Sequence, residues 1–229
     1  SDYMPTFVKI TNAKVHDSII SKTLNLKPGS IIAADRGYLD FEQFNTWNKN
    51  KIFFVTRIKD NMCYDITLPG CGTYNSNVCS DDEIILTGTA TKMKYPGKLR
   101  LVTVWNKEQQ KEIKILTNNF KLAASTIGAI YKERWQIELF FKALKQTLNI
   151  KTFIGTSVNA LRIQIWTAMI SLLIIRWLHH LSKMKWSFSV MSAMLRLNLF
   201  TYRSLLDWLD KPYETPPAVP QFEQLGLFN

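Results

Sequence analysis

Tyr131-Lys-Glu-Arg134-Trp135-Gln-Ile-Glu138-Leu-Phe-Phe-Lys142-Ala-Leu-Lys145 is the stretch on which the reading of this chain turns. Wound as a helix at about 100° per residue, with Tyr131 at zero, it places Arg134 near ~300°, Glu138 near ~340° and Lys145 near ~320°. A tyrosine, two cations and a carboxylate therefore share a stripe about 60° wide over about four turns. Ile137, Phe140, Leu144 and Leu148 fall on a neighbouring apolar face. The helix is thus expected to anchor in a core while one edge presents an acid flanked by bases. An ordinary surface helix with an ion pair at four-residue spacing, Arg134 to Glu138, would look the same.

The spacing Tyr-x2-Arg-x3-Glu-x6-Lys, with Trp135 after the arginine and Ile137 before the glutamate, resembles the signature of the DDE transposases of bacterial insertion sequences, in the IS-four group. A second stretch agrees. Ser30-Ile-Ile-Ala-Ala34 runs apolar into Asp35-Arg36-Gly37-Tyr38, and a short apolar run bounded by turn residues suits a buried central strand. On its own Asp35 would read as a turn or cap residue ahead of a helix over Phe41–Asn48. Asp-Arg-Gly-Tyr after an apolar strand, however, is similar to the second-aspartate motif of the same group. Thr152-Phe-Ile-Gly155-Thr-Ser157 ahead of a long apolar helix is similar as well, with Gly155 and Ser157 read as loop and helix cap.

The other segments are compatible with that resemblance. Phe7–Ile10 reads as a short strand and Asp17–Leu24 as a helix, with a turn at Pro28-Gly29. Lys51–Ile58 reads as a strand, so strand, helix and strand follow within one crossover unit and imply parallel pairing. From Asp60 to Leu116 the texture changes to Gly, Asn, Asp and Thr, with β-like runs at Glu83–Leu86, Leu99–Trp105 and Glu112–Leu116 and turns between them. The stretch is read as an antiparallel insertion. The signature helix is expected to begin between Leu122 and Ser125. Helices over Leu161–Met184, Phe188–Leu197 and Tyr202–Leu209 follow, and Pro212–Pro220 reads as extended.

The expected fold class is α/β. The resemblance implies a ribonuclease-H-like core, N-terminally incomplete, with residues 1–59 and 117–229 as its two parts and 60–116 as a β-rich insertion between them. It also implies DNA strand cleavage and strand transfer with Mg²⁺, or Mn²⁺ as substitute, held by Asp35 and Glu138. Two such ions stabilise the attacking and leaving oxygens of an in-line displacement together, and magnesium accepts a few carboxylates while keeping waters. Tyr131, Arg134, Lys142, Lys145, Trp135 and Arg36 would hold double-stranded DNA. Trp105 would stack on bases, with packing on the sheet as its alternative. The family uses three carboxylates. Asp2 and Asp17 are poorly placed for the first, which is expected to lie outside this sequence together with two core strands. This chain alone is then expected to bind DNA weakly and cleave poorly, and a dimer is expected on DNA.

Composition narrows the choice of partner. A net charge of +11 on 229 residues points to a polyanion, either nucleic acid or an anionic membrane surface. A membrane binder would need a basic amphipathic helix with exposed apolar residues, and Lys183-Met-Lys185-Trp186 is too short for one. The apolar run Ile163–Leu178 contains Gln164 and Arg176, falls short of the ~20 residues of a span and reads as a buried helix. Ser1-Asp-Tyr-Met-Pro does not resemble a leader. The three cysteines, Cys63, Cys71 and Cys79, are odd in number and suit reduced thiols in a cytosol; no histidine lies close enough to complete a zinc site. His179-His180 reads as structural or solvent-facing. A non-catalytic DNA-binding module derived from a transposase remains the alternative, and it would tolerate Glu138→Ala without loss of function.

Overall fold

The computed structural model describes residues 8–11, 17–70, 77–147, 155, 157–184, 186–198, 200–201 and 204–214. Phe7, Cys71, Leu148, residues 151–154 and the proline-rich 215–220 lie outside them. By internal contacts the chain divides into one unit over Val8–Leu139 and a second that takes Phe140 onward.

The first unit is built on one mixed sheet. Helix α1 (Asp17–Ser21) precedes β1 (Ile31–Ala34), a 3-10 turn (Arg36–Tyr38), α2 (Phe41–Lys49) and β2 (Phe53–Arg57). Then come β3 (Tyr64–Leu68), β4 (Val78–Leu86), α3 (Thr89–Lys94), β5 (Leu99–Asn106), β6 (Lys111–Thr117) and α4 (Ala124–Glu133). Strand order is β1-β2-β6-β5-β4-β3. β1 and β2 are parallel, Ile31 opposite Phe53 and Ala34 opposite Thr56, as the crossover pattern implies. The remaining pairings are antiparallel. The stretch read as an insertion is thus antiparallel throughout, and its last strand bonds to β2, so it extends the sheet that β1 and β2 begin.

Several local readings need correction. Among the described residues β1 lies at the edge of the sheet and not at its centre, and Ile31 is 42% exposed. An apolar run reports burial on the faces of a strand but not whether a neighbour lies beyond it. Val8–Ile10 is not in a strand. The helix expected to Leu24 stops at Ser21. Sequence reading missed β3, four of whose five residues are exposed, and α3. β3, Tyr64-Asp-Ile-Thr-Leu68, alternates apolar and polar residues but leaves Ile66 and Leu68 exposed at the edge of the sheet. At the turn before β1, Gly29 has φ +88° and Ser30 N donates to Lys27 O at 3.1 Å, so Pro28-Gly29 makes a type II turn whose third residue needs a positive φ.

Both faces of the sheet are covered. On one, Phe44 and Trp47 of α2 and Tyr95 pack with Phe54, Ile84, Leu86, Leu99, Leu101 and Leu116. Phe44 stacks on Phe54 with ring centroids 4.1 Å apart. On the other, Ala124 and Ile127 of α4 pack with Val55, Val78, Val102 and Ile115. This alternation along β2, β5 and β6 fixes their register, because a one-residue slip would exchange the two faces.

α2 is capped by Asp40, whose Oδ1 accepts from Glu42 N at 3.1 Å and Gln43 N at 3.3 Å, and whose Oδ2 pairs with Lys22 at 3.2 Å. Burial works against ionisation of this carboxyl, but Lys22 and the two backbone N–H groups outweigh it and hold its pKa below the usual value. A folded-state pKa that is lowered contributes stability above the unfolded value, lost as pH falls through the folded one. Asp40→Ala is therefore expected to cost about 1 kcal/mol at pH 7 and less at pH 3, measured by urea denaturation at the two pH values.

In the second unit α5 (Trp135–Thr147), which begins in the first, is followed by α6 (Val158–Leu181), α7 (Phe188–Asn198) and α8 (Leu205–Asp210). Ser157 caps α6, accepting from Ala160 N at 3.1 Å, as its sequence position suggests. Leu178, Met191, Leu195, Trp208 and Leu209 form this unit's core. His179 Nε2 lies 2.8 Å from Trp186 O, a structural use of that histidine. α6 departs from the sequence reading. It is not a buried helix: Ala168, Met169, Leu172 and Leu178 are buried, while Ile163, Trp166, Ile170, Ile174 and Trp177 are exposed. Its 24 residues, with a mean hydropathy of 1.6 in the most apolar window, are long and apolar enough to cross a membrane by length and composition. Hydropathy measures transfer from water and does not say which protein surface receives the helix.

Candidate active site

The site is built where β1 ends. Ala34 closes the strand, and Asp35 follows in extended conformation at φ −79°, ψ 162°. In open α/β sheets, ligands bind outside the carboxyl ends of parallel strands, and Asp35 is the first residue past such an end. It is exposed, and its Oδ1 accepts from Arg36 N at 2.7 Å, which starts the 3-10 turn. The cap reading of Asp35 is therefore satisfied within its own turn; the cap of α2 is Asp40.

The signature stretch is not one continuous helix. α4 ends at Glu133 and α5 begins at Trp135. Between them Arg134 N donates to Tyr131 O and Ile137 N to Arg134 O, both at 3.2 Å, so the ladder tightens locally to three-residue bonds. Short tightened turns inside helices frequently mark functional sites. Arg134 sits at the junction with its side chain only 14% exposed. Its guanidinium carbon lies 5.6 Å from the Tyr131 ring centroid, and its Nη1 donates to Glu138 Oε1 at 3.1 Å. Glu138 is 48% exposed. At that exposure the four-residue pair is worth about 0.3–0.5 kcal/mol and is readily exchanged for another partner.

Arg134 gathers the site. Burial opposes its charge, but the hydrogen bond to Glu138 and the negative charges of Asp35 and Glu138 outweigh that and raise its pKa. Asp35 and Glu138, far apart in sequence, thus both act on one guanidinium. Tyr131, Arg134 and Glu138 come together as the spacing requires, and Asp35 joins them because α4 packs against β1. Arg36 is exposed beside Asp35. Trp135 is 51% exposed at the start of α5. Lys142 and Lys145 lie further along α5, exposed, in the second unit. The expected apolar face is only partly realised: Phe140 and Leu144 are buried, whereas Ile137 is 53% exposed. The break at Arg134 shifts α5 out of the angular register of a single straight helix. Trp105 is 39% exposed on β5, opposite Glu112 on β6, and is not fully packed into the sheet.

Asp35 and Glu138 are hard oxygen donors of the kind Mg²⁺ accepts, and that ion commonly uses one or two carboxylates with waters. The donor chemistry fits a divalent cation. Among the described residues no cluster of three metal-ligating side chains occurs. Cys63 and Cys79 are free and exposed.

Sequence reading missed the residues that place α4. Arg100, an arginine within the apolar strand β5, reaches Asp81 with Nε at 2.6 Å and Nη2 at 2.7 Å. Its Nη1 donates to Asn119 O at 3.0 Å and Leu122 O at 2.6 Å, immediately before α4. Asn119 Oδ1 accepts from Lys121 N and Leu122 N, closing the same loop. Asn118 accepts from Phe54 N and donates to Ile52 O and Asn48 Oδ1, tying the end of β6 to the start of β2. An arginine flanked by apolar neighbours was the one available signal; its partners are distant in sequence.

Comparison with known proteins gives a family. A family model described as the transposase DDE domain matches residues 3–174, a range that holds Asp35 and the whole signature stretch. A Sinorhizobium fredii protein named as transposase y4zB is 32% identical over 94% of this chain and 60% of its own length. A Geobacillus stearothermophilus protein named as a transposase for insertion sequence element IS5377 is 28% identical over 90% of this chain and 54% of its own. A Synechocystis protein named as a transposase for insertion sequence element IS4SA is 30% identical over 69% and 44%. The chain spans between 44% and 60% of the length of these relatives. With a family match over most of its length, this chain belongs to the DDE transposase domain family.

Proposed function

We propose that this chain supplies the second aspartate, Asp35, and the glutamate, Glu138, of an insertion-sequence transposase of the IS-four group, which cleaves and joins DNA strands during cut-and-paste transposition. The observation that carries the reading is that α4 packs against β1, at whose end Asp35 lies, while Glu138 is hydrogen-bonded to Arg134 directly after α4. The parallel pair β1 and β2, the α4 helix behind it and the antiparallel strands that follow support a ribonuclease-H-like core, divided at 1–59, 60–116 and 117–229. The free edge of β1 is where further core strands would add.

Asp35 and Glu138 would hold Mg²⁺, with Mn²⁺ able to replace it. When bound, such an ion lowers the charge cost of phosphodiester cleavage. The protein groups do the positioning. Arg134 offers a planar fork that matches a phosphate, Tyr131 adds a hydroxyl and Arg36 a positive charge, and Lys142 and Lys145 offer DNA further positive charge from the second unit. Trp135 and Trp105 are exposed enough to stack on bases or sugars. Double-stranded transposon ends and target DNA are the proposed substrates, and a dimer on DNA and a cytoplasmic location are part of the same reading. Cleavage in this manner uses a third carboxylate, so this chain by itself is expected to bind DNA weakly and cleave poorly.

The basic balance of +11 predicts backbone-dominated binding. With about five phosphate contacts, affinity for a generic duplex is expected to fall about 10³-fold between 50 and 200 mM salt, measured by fluorescence anisotropy. A salt-independent affinity, or none at low salt, would refute the DNA reading.

A further inference from the structure

We propose that Arg134 is the resident counter-ion of this site: Glu138 gives it up when a divalent cation binds, and the freed guanidinium then takes a DNA phosphate. The proposal rests on the reading that Asp35 and Glu138 hold a metal.

Arg134 Nη1 bonds Glu138 Oε1, one of the carboxylate oxygens a cation would need. A guanidinium and a divalent ion on the same carboxylate would stand within a few ångströms and repel. The arginine is held, yet poorly satisfied. Its Nε is buried without a hydrogen-bond partner, and among the described residues Nη1 makes the side chain's only hydrogen bond. A guanidinium carries five N–H donors in a fixed fork, so most of its capacity is in reserve for a bidentate anion such as a phosphate. The tightened turn at Arg134 lies where the side chain would have to swing, and its partner Glu138 is half-exposed and free to exchange.

Two consequences follow. The arginine competes with metal when DNA is absent. Metal binding and DNA binding assist each other through it, and the coupling is reciprocal.

The test uses the whole chain with Mn²⁺ as probe, free Mn²⁺ being read by electron paramagnetic resonance, and a labelled duplex titrated at constant ionic strength with and without Mn²⁺. Arg134→Gln is expected to bind Mn²⁺ about three- to tenfold more tightly than the unaltered chain, because it keeps a hydrogen bond and loses the charge. Arg134→Lys, which keeps the charge, is expected to stay within about twofold of the unaltered chain. Mn²⁺ is expected to raise duplex affinity at least about threefold in the unaltered chain and not in Arg134→Gln. Circular dichroism checks that each variant is folded, and Arg134→Lys carries the comparison if the glutamine variant is not: its coupling must then match the unaltered chain. Loss of Mn²⁺ binding in Glu138→Gln, with no gain in Arg134→Gln, would overturn the exchange and leave the metal pair standing. Mn²⁺ affinity unchanged in Glu138→Gln would overturn both.

Discussion

Glu138→Gln, in a transposition-competent protein carrying this chain, is expected to slow Mg²⁺-dependent DNA cleavage by about three orders of magnitude, and Asp35→Asn by a similar factor. The magnitude follows from the chemistry. A divalent ion at a phosphoryl oxygen contributes several kcal/mol of charge stabilisation, and each 1.36 kcal/mol is tenfold in rate. An amide in place of a carboxylate keeps the shape and removes the charge that holds the ion. Duplex affinity in the absence of metal should change far less, because phosphate contacts are carried by cations elsewhere on the chain. Glu112→Gln, on β6 opposite Trp105, serves as the control and is expected to leave cleavage near normal. Supercoiled-plasmid nicking over a time course measures all three. Cleavage within tenfold of the unaltered protein in both Asp35→Asn and Glu138→Gln would remove the two carboxylates from the chemistry.

The second large effect concerns the support of α4. Arg100→Ala is expected to destabilise the first unit by about 3 kcal/mol, because it strips Asp81 of a two-point partner and leaves the carbonyls of Asn119 and Leu122 without their donor. Arg100 is 9% exposed and Asp81 27%, so the bond is shielded without being sealed from water. Breaking one side of such a pair costs more than replacing both, so the double variant Arg100→Met, Asp81→Leu is expected to recover part of the loss. Chemical denaturation of the two single variants and the double one gives the coupling directly. A loss below about 1 kcal/mol in Arg100→Ala would show that α4 is placed by its apolar face alone.

How much was legible in advance depended on the range of the interaction concerned. The pairing of β1 with β2, the antiparallel run to β6, the start of α4 and the Ser157 cap were all readable. Each is decided by residues a few positions apart, through period, turn chemistry or a cap. The continuous helix was not borne out, because angular arithmetic assumes a uniform ladder and the break at Arg134 arises where its side chain bonds forward to Glu138 and folds back over Tyr131. α6 shows the same limit: its composition announces an apolar helix, but which face is covered depends on α7 and on what else meets it.

The amino-acid sequence by itself determined the identity and spacing of Asp35, Tyr131, Arg134 and Glu138, the basic balance and the alternation of β1, α2 and β2, since these follow from covalent order and local preference. Only the tertiary structure decided that α4 packs against β1 and so brings the Arg134–Glu138 pair to the strand end that carries Asp35, that β1 lies at the edge of the described sheet, and that Arg100 ties β5 to the loop before α4. These depend on contacts between segments distant along the chain, whose closure is settled by the packing of α4 on the sheet and by buried hydrogen bonds that no local pattern encodes.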